Sequence, residues 1–463
     1  MKNENTTQTL SDLKKDFEKL RSQMTPEVVL FTTLLFQLFE VILLTMSKKT
    51  TSRNSNLPPS QDPFRPKLPK GKNEKKPGGQ KGHVGASLVF SPKPDETIVI
   101  PSGPCGNCFD DLSGVPVESI SKHQVIDIKF KKHITEYHCE HKGCNCGHHQ
   151  CSPTAGAPVQ YGNSLKATAV ELNQIQCIPL KRCAKFFQQK FDITISPGTI
   201  VNFAKKASER LLIWEESAKD ELLSSVQLNA DETGININGK IFWCNVVSNE
   251  KTTLIIPHEK RGVEAMSDNG ILENYHGQLV HDFWAPYGQL DVIHGACHPH
   301  LGREFTKIHE KFGQKWALEL LTLLEDANLK RDQAEGCLSI EQMNYYENEY
   351  TRLIKKGEKL NPKIEIRENQ KGRIAQTYPR QVLNRLILYR DWVLIFLYIP
   401  TIPYSNNQAE RDFRMLKVQQ KVSGYFKGIE GARTHCRILS YVSTMEKRGH
   451  SKHQALTMLF EET

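Results

Sequence analysis

The stretch SVQLNADETGININGKIFWCNVV, residues 225–247, switches the chain from a helical to an alternating pattern. Val226, Leu228 and Ala230 alternate with polar neighbours up to Asp231, as a half-buried strand does. Asn238-Gly239 then separates Ile235 and Ile237 from the apolar run 241–247, a strong signal for a two-residue hairpin. Downstream, 252–257 reads as a third strand and 261–275 as a helix. A fourth strand covers 278–283 and carries Asp282 at its end; a fifth covers 292–296.

Three meandering strands followed by helix, strand, connection and strand is the order of a ribonuclease-H-like mixed sheet. In that topology the first and fourth strands are parallel neighbours, so Asp231 and Asp282 would meet at their C-terminal ends. Neighbouring carboxylates repel unless a cation lies between them. Two divalent ions roughly 3.5–4 Å apart would relieve this and could act on a phosphodiester from both sides. A third acid fits the cage from YSNNQAERDFRMLKVQQKVSGYF, residues 404–426. Ser405 and Gln408 have capping-box spacing. Ala409, Phe413 and Leu416 fall on one helix face, while Glu410, Arg414 and Lys417 fall on another beside Arg411. Glu410 is the candidate ligand; the bland alternative is a solvated face with Glu410 and Arg414 as an i,i+4 pair.

Working outward, 309–399 reads as almost wholly helical, an insertion between the fifth strand and the Glu410 helix. Upstream, 164–176, 180–191 and a segment opening at Ser196-Pro197 read as three helices. The last two fit either a helix-turn-helix or an ordinary packing unit. Between 96 and 151, Cys105-x2-Cys108 is followed by Cys139, Cys144 and Cys146, with strand-like alternation over 125–137 between them. Such knuckles suggest a zinc ribbon, since structural zinc takes four soft ligands. Cys105, Cys108 and Cys139 are the firmest candidates. The fourth is Cys144 or Cys146, with His138, His141, His148 and Cys151 also open.

Residues 47–85 are too rich in Pro, Gly, Asn and Lys to bury a core. Ten Lys/Arg in 47–82 face only Asp62 and Glu74, which accounts for nearly all of the chain's net charge of +9. A tract like this suits a polyanion, with Lys72, Lys75, Lys76 and Lys81 as phosphate contacts, or it is an inert linker. The N-terminal 1–46 reads as helical. Its run VVLFTTLLFQLFEVILLTM, 28–46, contains Gln37 and Glu40 and is 19 residues long. A membrane span needs about 20 predominantly apolar residues, and a central carboxylate costs roughly 2.5–3.5 kcal/mol. Self-association without a membrane is therefore expected.

The 463 residues allow roughly three domains. Twelve cysteines without a secretory signal point to reduced thiols, a cytoplasmic location and a metal site rather than a disulfide framework. The expected architecture is multidomain α+β. It comprises a helical segment (1–46), a basic linker (47–90), a zinc-ribbon-like domain (91–158) and a helix-turn-helix-like region (159–220). The ribonuclease-H-like core follows (221–312 and 401–463), interrupted by an α-helical insertion (313–400).

Several motifs together resemble the insertion-sequence-sixty-six group of transposases, of the DDE class. They are Ser52–Ser55 and Pro58-Pro59-Ser60 in the linker, Lys76–His83 (Lys-Pro-Gly-Gly-Gln-x-Gly-His), and the cysteines Cys105, Cys108 and Cys139. Asp-Glu-Thr-Gly at 231–234 and the Asp282 strand follow, then Cys297, His300 and Arg303. Asn-Asn-x-Ala-Glu-Arg-x-x-Arg at 406–414 and Lys421–Gly424 complete the pattern. The resemblance covers nearly the whole chain. Two departures are the apolar run 28–46 and the enlarged second knuckle, Cys139-x4-Cys144-x-Cys146.

The resemblance implies that Asp231, Asp282 and Glu410 are the catalytic acids and hold two Mg²⁺, with zinc structural. It implies cleavage of element ends and joining of their 3′-OH to target DNA. Arg303, Arg411, Arg414 and Lys417 would bind phosphates, and Cys297 and His300 would position the site. DNA, further copies of the chain and small accessory proteins are the implied partners. A metal-dependent nuclease without strand transfer and a catalytically silent DNA-binding regulator are the rival readings.

Overall fold

The computed structural model describes residues 17–21, 24–26, 28–29, 31–36, 38, 88–128, 131–151, 157–364 and 374–461. The chain divides into two compact units, Met1–Phe130 and Lys131–Thr463. Lys72, Lys75, Lys76 and Lys81, and most of the N-terminal run, lie outside the described residues. Among the described residues no helix is long and apolar enough to cross a membrane.

In the first unit, 17–20 and 31–36 are helical, and 88–128 contains neither helix nor strand. Among the described residues of 125–137, the expected strand is not formed in either unit's part. Val125, Ile126, Ile128 and Ile134 are all strongly exposed. Alternation makes a strand only where one face is covered, and neither face is covered here.

The second unit begins with a short antiparallel ribbon, β1 (His141–Gly143) and β2 (His149–Cys151). Four helices follow: α1 (Asn163–Val170), continued by a π turn at Glu171–Ile175, then α2 (Leu180–Phe191), α3 (Pro197–Arg210) and α4 (Leu212–Leu223). The α3 start is as the sequence reads. Ser196 accepts the Thr199 N–H at 3.0 Å, and Pro197 supplies a fixed φ where no N–H is needed.

The sheet comprises β3 (Gln227–Ile237), β4 (Lys240–Ser248), β5 (Thr253–His258), then, after the short helix α5 (Val263–Asp268), β6 (Gln278–His281) and β7 (Ile293–Ala296). Its order is β5-β4-β3-β6-β7. β3 pairs antiparallel with β4 and parallel with β6, so the first and fourth strands are parallel neighbours as expected. The hairpin turns at Asn238 (φ 49°) and Gly239 (φ 84°), the left-handed pair that matches strand twist. α5 is shorter than the expected 261–275 because Asn269 turns back, its Oδ1 accepting the Ile271 and Leu272 N–H groups.

Alternation gives β3 two chemically different faces. Ile235 and Ile237 pack with Cys244, Val246 and Ile255 against C-terminal helices. Leu228 and Ala230 pack with Val247 and Leu254 against α4, α5 and Tyr287. Each fully buried aliphatic side chain contributes about 1.5–3 kcal/mol.

Between β7 and the Glu410 helix lies a helical stretch that opens before the expected 313–400 insertion: α6 (His298–Phe312), α7 (Lys315–Gln333), α8 (Ile340–Leu360), α9 (Tyr378–Leu388) and α10 (Arg390–Leu394). It has its own core around Phe305, Trp316, Tyr350 and Phe396. The chain then returns to the sheet through α11 (Asn407–Asp412), α12 (Arg414–Ser423), α13 (Ile429–Lys447) and α14 (Lys452–Glu461). α13 guards the outer edge of β5, where Ser440 and Thr444 hydroxyls accept the Ile255 and Thr253 N–H groups.

The expected capping box at Ser405 is absent. Asn406 occupies the cap position, and its side chain turns into the sheet instead. The single expected helix is two, meeting at Phe413. Hydrogen bonds from Phe413 N–H to Ala409 and from Lys417 N–H to Phe413 carry the helical path across the junction. Ala409, Phe413 and Leu416 are accordingly buried on one face.

Candidate active site

The last parallel pair between β3 and β6 is Asn229 with Val280. Continuing that register by two residues sets Asp231 opposite Asp282, where the two strands stop pairing. Asp282 is fixed by the turn after β6, its Oδ1 accepting the Trp284 N–H at 3.0 Å. The preceding His281 is fully buried, stacked on Tyr287 (4.5 Å) and 2.9 Å from the His294 ring. Burial pulls the His281 imidazole down to about 3, so it anchors the turn as a neutral ring.

Glu410 is delivered by Asn406, which is 1% exposed. The Asn406 Nδ2 donates to the Ala230 carbonyl at 2.7 Å, and its Oδ1 accepts from Asn229 Nδ2 at 2.8 Å. Its backbone N–H points at Cys297 Sγ, 3.3 Å away. One buried residue thus ties α11 to the residues just before Asp231, through its side chain, and to the start of α6, through its backbone. From α6, His300 Nε2 and Arg303 Nη2 lie 3.7 and 3.8 Å from Glu410 Oε1. These are ion-pair distances beyond hydrogen-bond reach, and Glu410 Oε1 is buried with no hydrogen-bond partner among the described residues. No ion pair among the described residues joins Glu410 to Arg414, which is exposed.

The three acids are electrostatically coupled. Asp231 is pushed up to about 6, first by burial and then by Asp282 and Glu410, against the lowering effect of the Glu232 N–H and Lys417. Asp231 therefore feels the charge of residues 282 and 410, and is half-neutralised near pH 6 without a cation. Their carboxylate oxygens, with the orphaned buried Oε1 of Glu410, have the donor chemistry a hard divalent ion takes.

Cys297, His300 and Glu410 place three ligand atoms within 4.8 Å of one another, a geometry that also suits a softer metal. The Cys297 thiol argues against it. Burial pushes it up to about 11, and the Asn406 N–H and His300 Nδ1, at 3.3 and 3.2 Å, already satisfy its sulfur. Its chemistry is that of a neutral pivot holding α11 and His300.

The candidate phosphate ligands divide. Arg303 and Arg414 are exposed near Glu410, while Arg411 is engaged by Gln408 at 2.8 Å. Lys417 sends its Nζ to the Gly234 carbonyl (3.4 Å) and interacts with Asp231. Asp412, two residues from Glu410, is buried in an ion pair with Lys447 (3.1 Å) and accepts the Thr253 hydroxyl at 3.1 Å, a structural role. Asp291 is exposed beside His276.

The candidate zinc ligands fall in both units. In the first, Cys105 and Cys108 close a loop in which the Cys108 and Asn107 N–H groups pull the Cys105 thiol down. In the second, Cys139 precedes the β1–β2 ribbon, and the Cys146 N–H pulls Cys144 down in the turn. N–H groups aimed at sulfur favour thiolate, the form that binds metal.

The sequence reading missed the Asn229–Asn406 hydrogen bond, whose signal was an amide at a buried strand position and the Asn-Asn pair. Glu232, the acid beside Asp231, points by alternation to the opposite side of the strand; there its buried carboxylate accepts from Arg261 Nε at 2.9 Å, and the guanidinium lies over the Trp284 ring.

The Transposase IS66 family model matches residues 158–434, from just before α1 into α13. The chain belongs to this family. No curated protein matches it. As a transposase it is a DNA-processing enzyme of a mobile element, and the matched span includes Asp231, Asp282 and Glu410 but not the cysteine-rich segment.

Proposed function

We propose that this transposase cuts DNA at the ends of its own element and joins the freed 3′-OH groups to target DNA, using Asp231, Asp282 and Glu410. The observation that carries this is the register that sets Asp231 opposite Asp282, with Asp231 raised first by burial and then by the charges of Asp282 and Glu410. The strand order supports a ribonuclease-H-like core across 221–312 and 401–463, with the insertion 313–400.

Two Mg²⁺ ions held by these acids would neutralise phosphate charge and favour an ionised attacking oxygen. The chain's own residues do the positioning. Asp231 and Asp282 are locked by strand register and by the Trp284 N–H, and Glu410 by Asn406. His300 and Arg303 offset the charge of Glu410 without hydrogen-bonding it, which leaves its oxygen free. Arg303 and Arg414 stand exposed to take phosphates, with Arg411 and Lys417 alongside. In the first step a water oxygen replaces the 3′ oxygen on phosphorus. In the second, the released 3′-OH attacks a target phosphodiester and displaces the target strand's 3′ oxygen from phosphorus, the attacking hydroxyl's proton passing to solvent and the leaving oxygen taking one from it.

Residues 159–220 fit DNA binding through α2 and α3, where Lys205 and Lys206 are exposed. Cys105 and Cys108 in the first unit, and Cys139 and Cys144 in the second, each have the donor chemistry of a zinc knuckle. Bringing two element ends together calls for more than one copy of the chain.

The test is end cleavage and joining on labelled DNA in Mg²⁺. Asp231→Asn and Asp282→Asn are each expected to lose both products by at least about 10²-fold while still binding the DNA. Full cleavage by either variant would contradict the assignment.

A further inference from the structure

FRMLKVQQKVSGYFKGI, residues 413–429, carries the cations Arg414, Lys417, Lys421 and Lys427 and no acid. Its helical part is α12. There Arg414, Lys417 and Lys421 are spaced three and four residues apart and share one face, with Val418 and Val422 beside them. All five are exposed, as are Lys427 and, in the turn beyond α12, Tyr425. Among the described residues no ion pair engages Arg414, Lys421 or Lys427. Like charges without an acid between them repel one another, and a polyanion relieves that repulsion.

β3 fixes the path of this segment. Lys417 Nζ reaches the Gly234 carbonyl at 3.4 Å. Further on, the Phe426 N–H donates to the Asn236 carbonyl and the Asn238 N–H to the Phe426 carbonyl, both at 2.9 Å. The segment therefore follows β3 from the Glu410 end to the Asn238-Gly239 turn. From Asp231 to Ile237 the strand covers about 20 Å. That is the length of about six base pairs of duplex. At its far end a groove between the hairpin turn and the start of α13 is lined by Lys240, Phe242, His258 and Lys427, with Glu259 as its acid. Lys240 is exposed on the hairpin, and among the described residues no ion pair engages it.

We propose that this face is a track for duplex DNA. The duplex leaves the three acids along α12, and Lys421, Lys427 and Lys240 hold its phosphates about six base pairs from the cut. Such contacts set the course and grip of the DNA and read no sequence. The backbone chemistry is the same in an element end and in target DNA, so the test separates the two. The inference rests on the three-acid reading for the position of the cut and adds the course of the DNA beyond it.

The test is binding of the full chain, without divalent ion and over a range of salt, to two labelled duplexes. One carries the element's own end, and the other, of unrelated sequence, stands for the target. The triple variant Lys240→Ala, Lys421→Ala, Lys427→Ala is expected to bind about 10-fold or more weakly at physiological salt, with a salt dependence shallower by about 3 in log–log slope. A loss confined to the end duplex assigns the track to the element end, a loss confined to the unrelated duplex assigns it to the target, and a loss on both assigns it to either in turn. Arginine at the same three positions keeps the charge and is expected to keep the affinity. Neutral methylphosphonates placed about six nucleotides from the cut in the end duplex, or throughout the unrelated duplex, are expected to weaken wild type more than the triple variant. Wild-type affinity and slope in the alanine variant would overturn the proposal. So would equal losses in the alanine and arginine variants, which would make the lysines structural, or methylphosphonates without effect on wild type. Cleavage by Asp231→Asn on the same end duplex in Mg²⁺ reports on the acids alone, so either reading can fail while the other stands.

Discussion

Asp231 carries a stability consequence that can be measured without DNA. Its carboxyl sits at about 6 against an ordinary 3.8, raised by burial and by Asp282 and Glu410. A group whose folded value is raised holds its proton more tightly in the folded than in the unfolded chain. It therefore favours folding below about pH 4 and loses that contribution as pH rises through 6. Metal-free Asp231→Asn is expected to exceed wild type in stability by about 1–3 kcal/mol at pH 8, the gap closing below pH 4. Denaturant titrations across that range check it, and a variant less stable than wild type at pH 8 would contradict the crowding. The same residue shows what alternation reveals in a sequence. Asp231 ends a legible strand pattern, whereas the crowding that raises it depends on residues 51 and 179 positions away, which no local pattern displays.

Among elements, the strands and α2 were legible because each has a local signature. Asn238-Gly239 needs two left-handed residues, β3 alternates, and α2 runs from Leu180 to Phe191 as its periodicity predicts. The start of α11 was not. Ser405 and Gln408 have the right spacing, yet Asn406 is drawn out of capping by two buried partners on β3, Asn229 and the Ala230 carbonyl. Tertiary hydrogen bonds won over a local cap because buried polar groups left unpaired cost more than a cap contributes. The alternation over 125–137 failed for the converse reason, having no covering layer. Asn406→Ala is expected to lower stability by about 1–3 kcal/mol, since it strands two buried groups, and to lower cleavage more than DNA binding. Parallel loss of binding and cleavage would mean that Asn406 serves folding alone.

Across the whole molecule, the sheet order brings residues 231 and 282 together, and the helical insertion, with its own core, lets residue 410 return to the same edge. The sheet order could be anticipated because sequential strands follow few topologies. The partners of Cys297 and Arg261 could not, because they come from the packing of α6, α11 and the Trp284 turn against the sheet. The IS66 family match spans both the sheet and the insertion. The most direct measurement is cleavage of a labelled DNA carrying the element's own end, in Mg²⁺, by wild type and by Glu410→Gln. Wild type is expected to release the 3′-OH end while Glu410→Gln binds the DNA and fails to cut it. Cleavage retained in Glu410→Gln would take the third acid away from α11 and contradict the account.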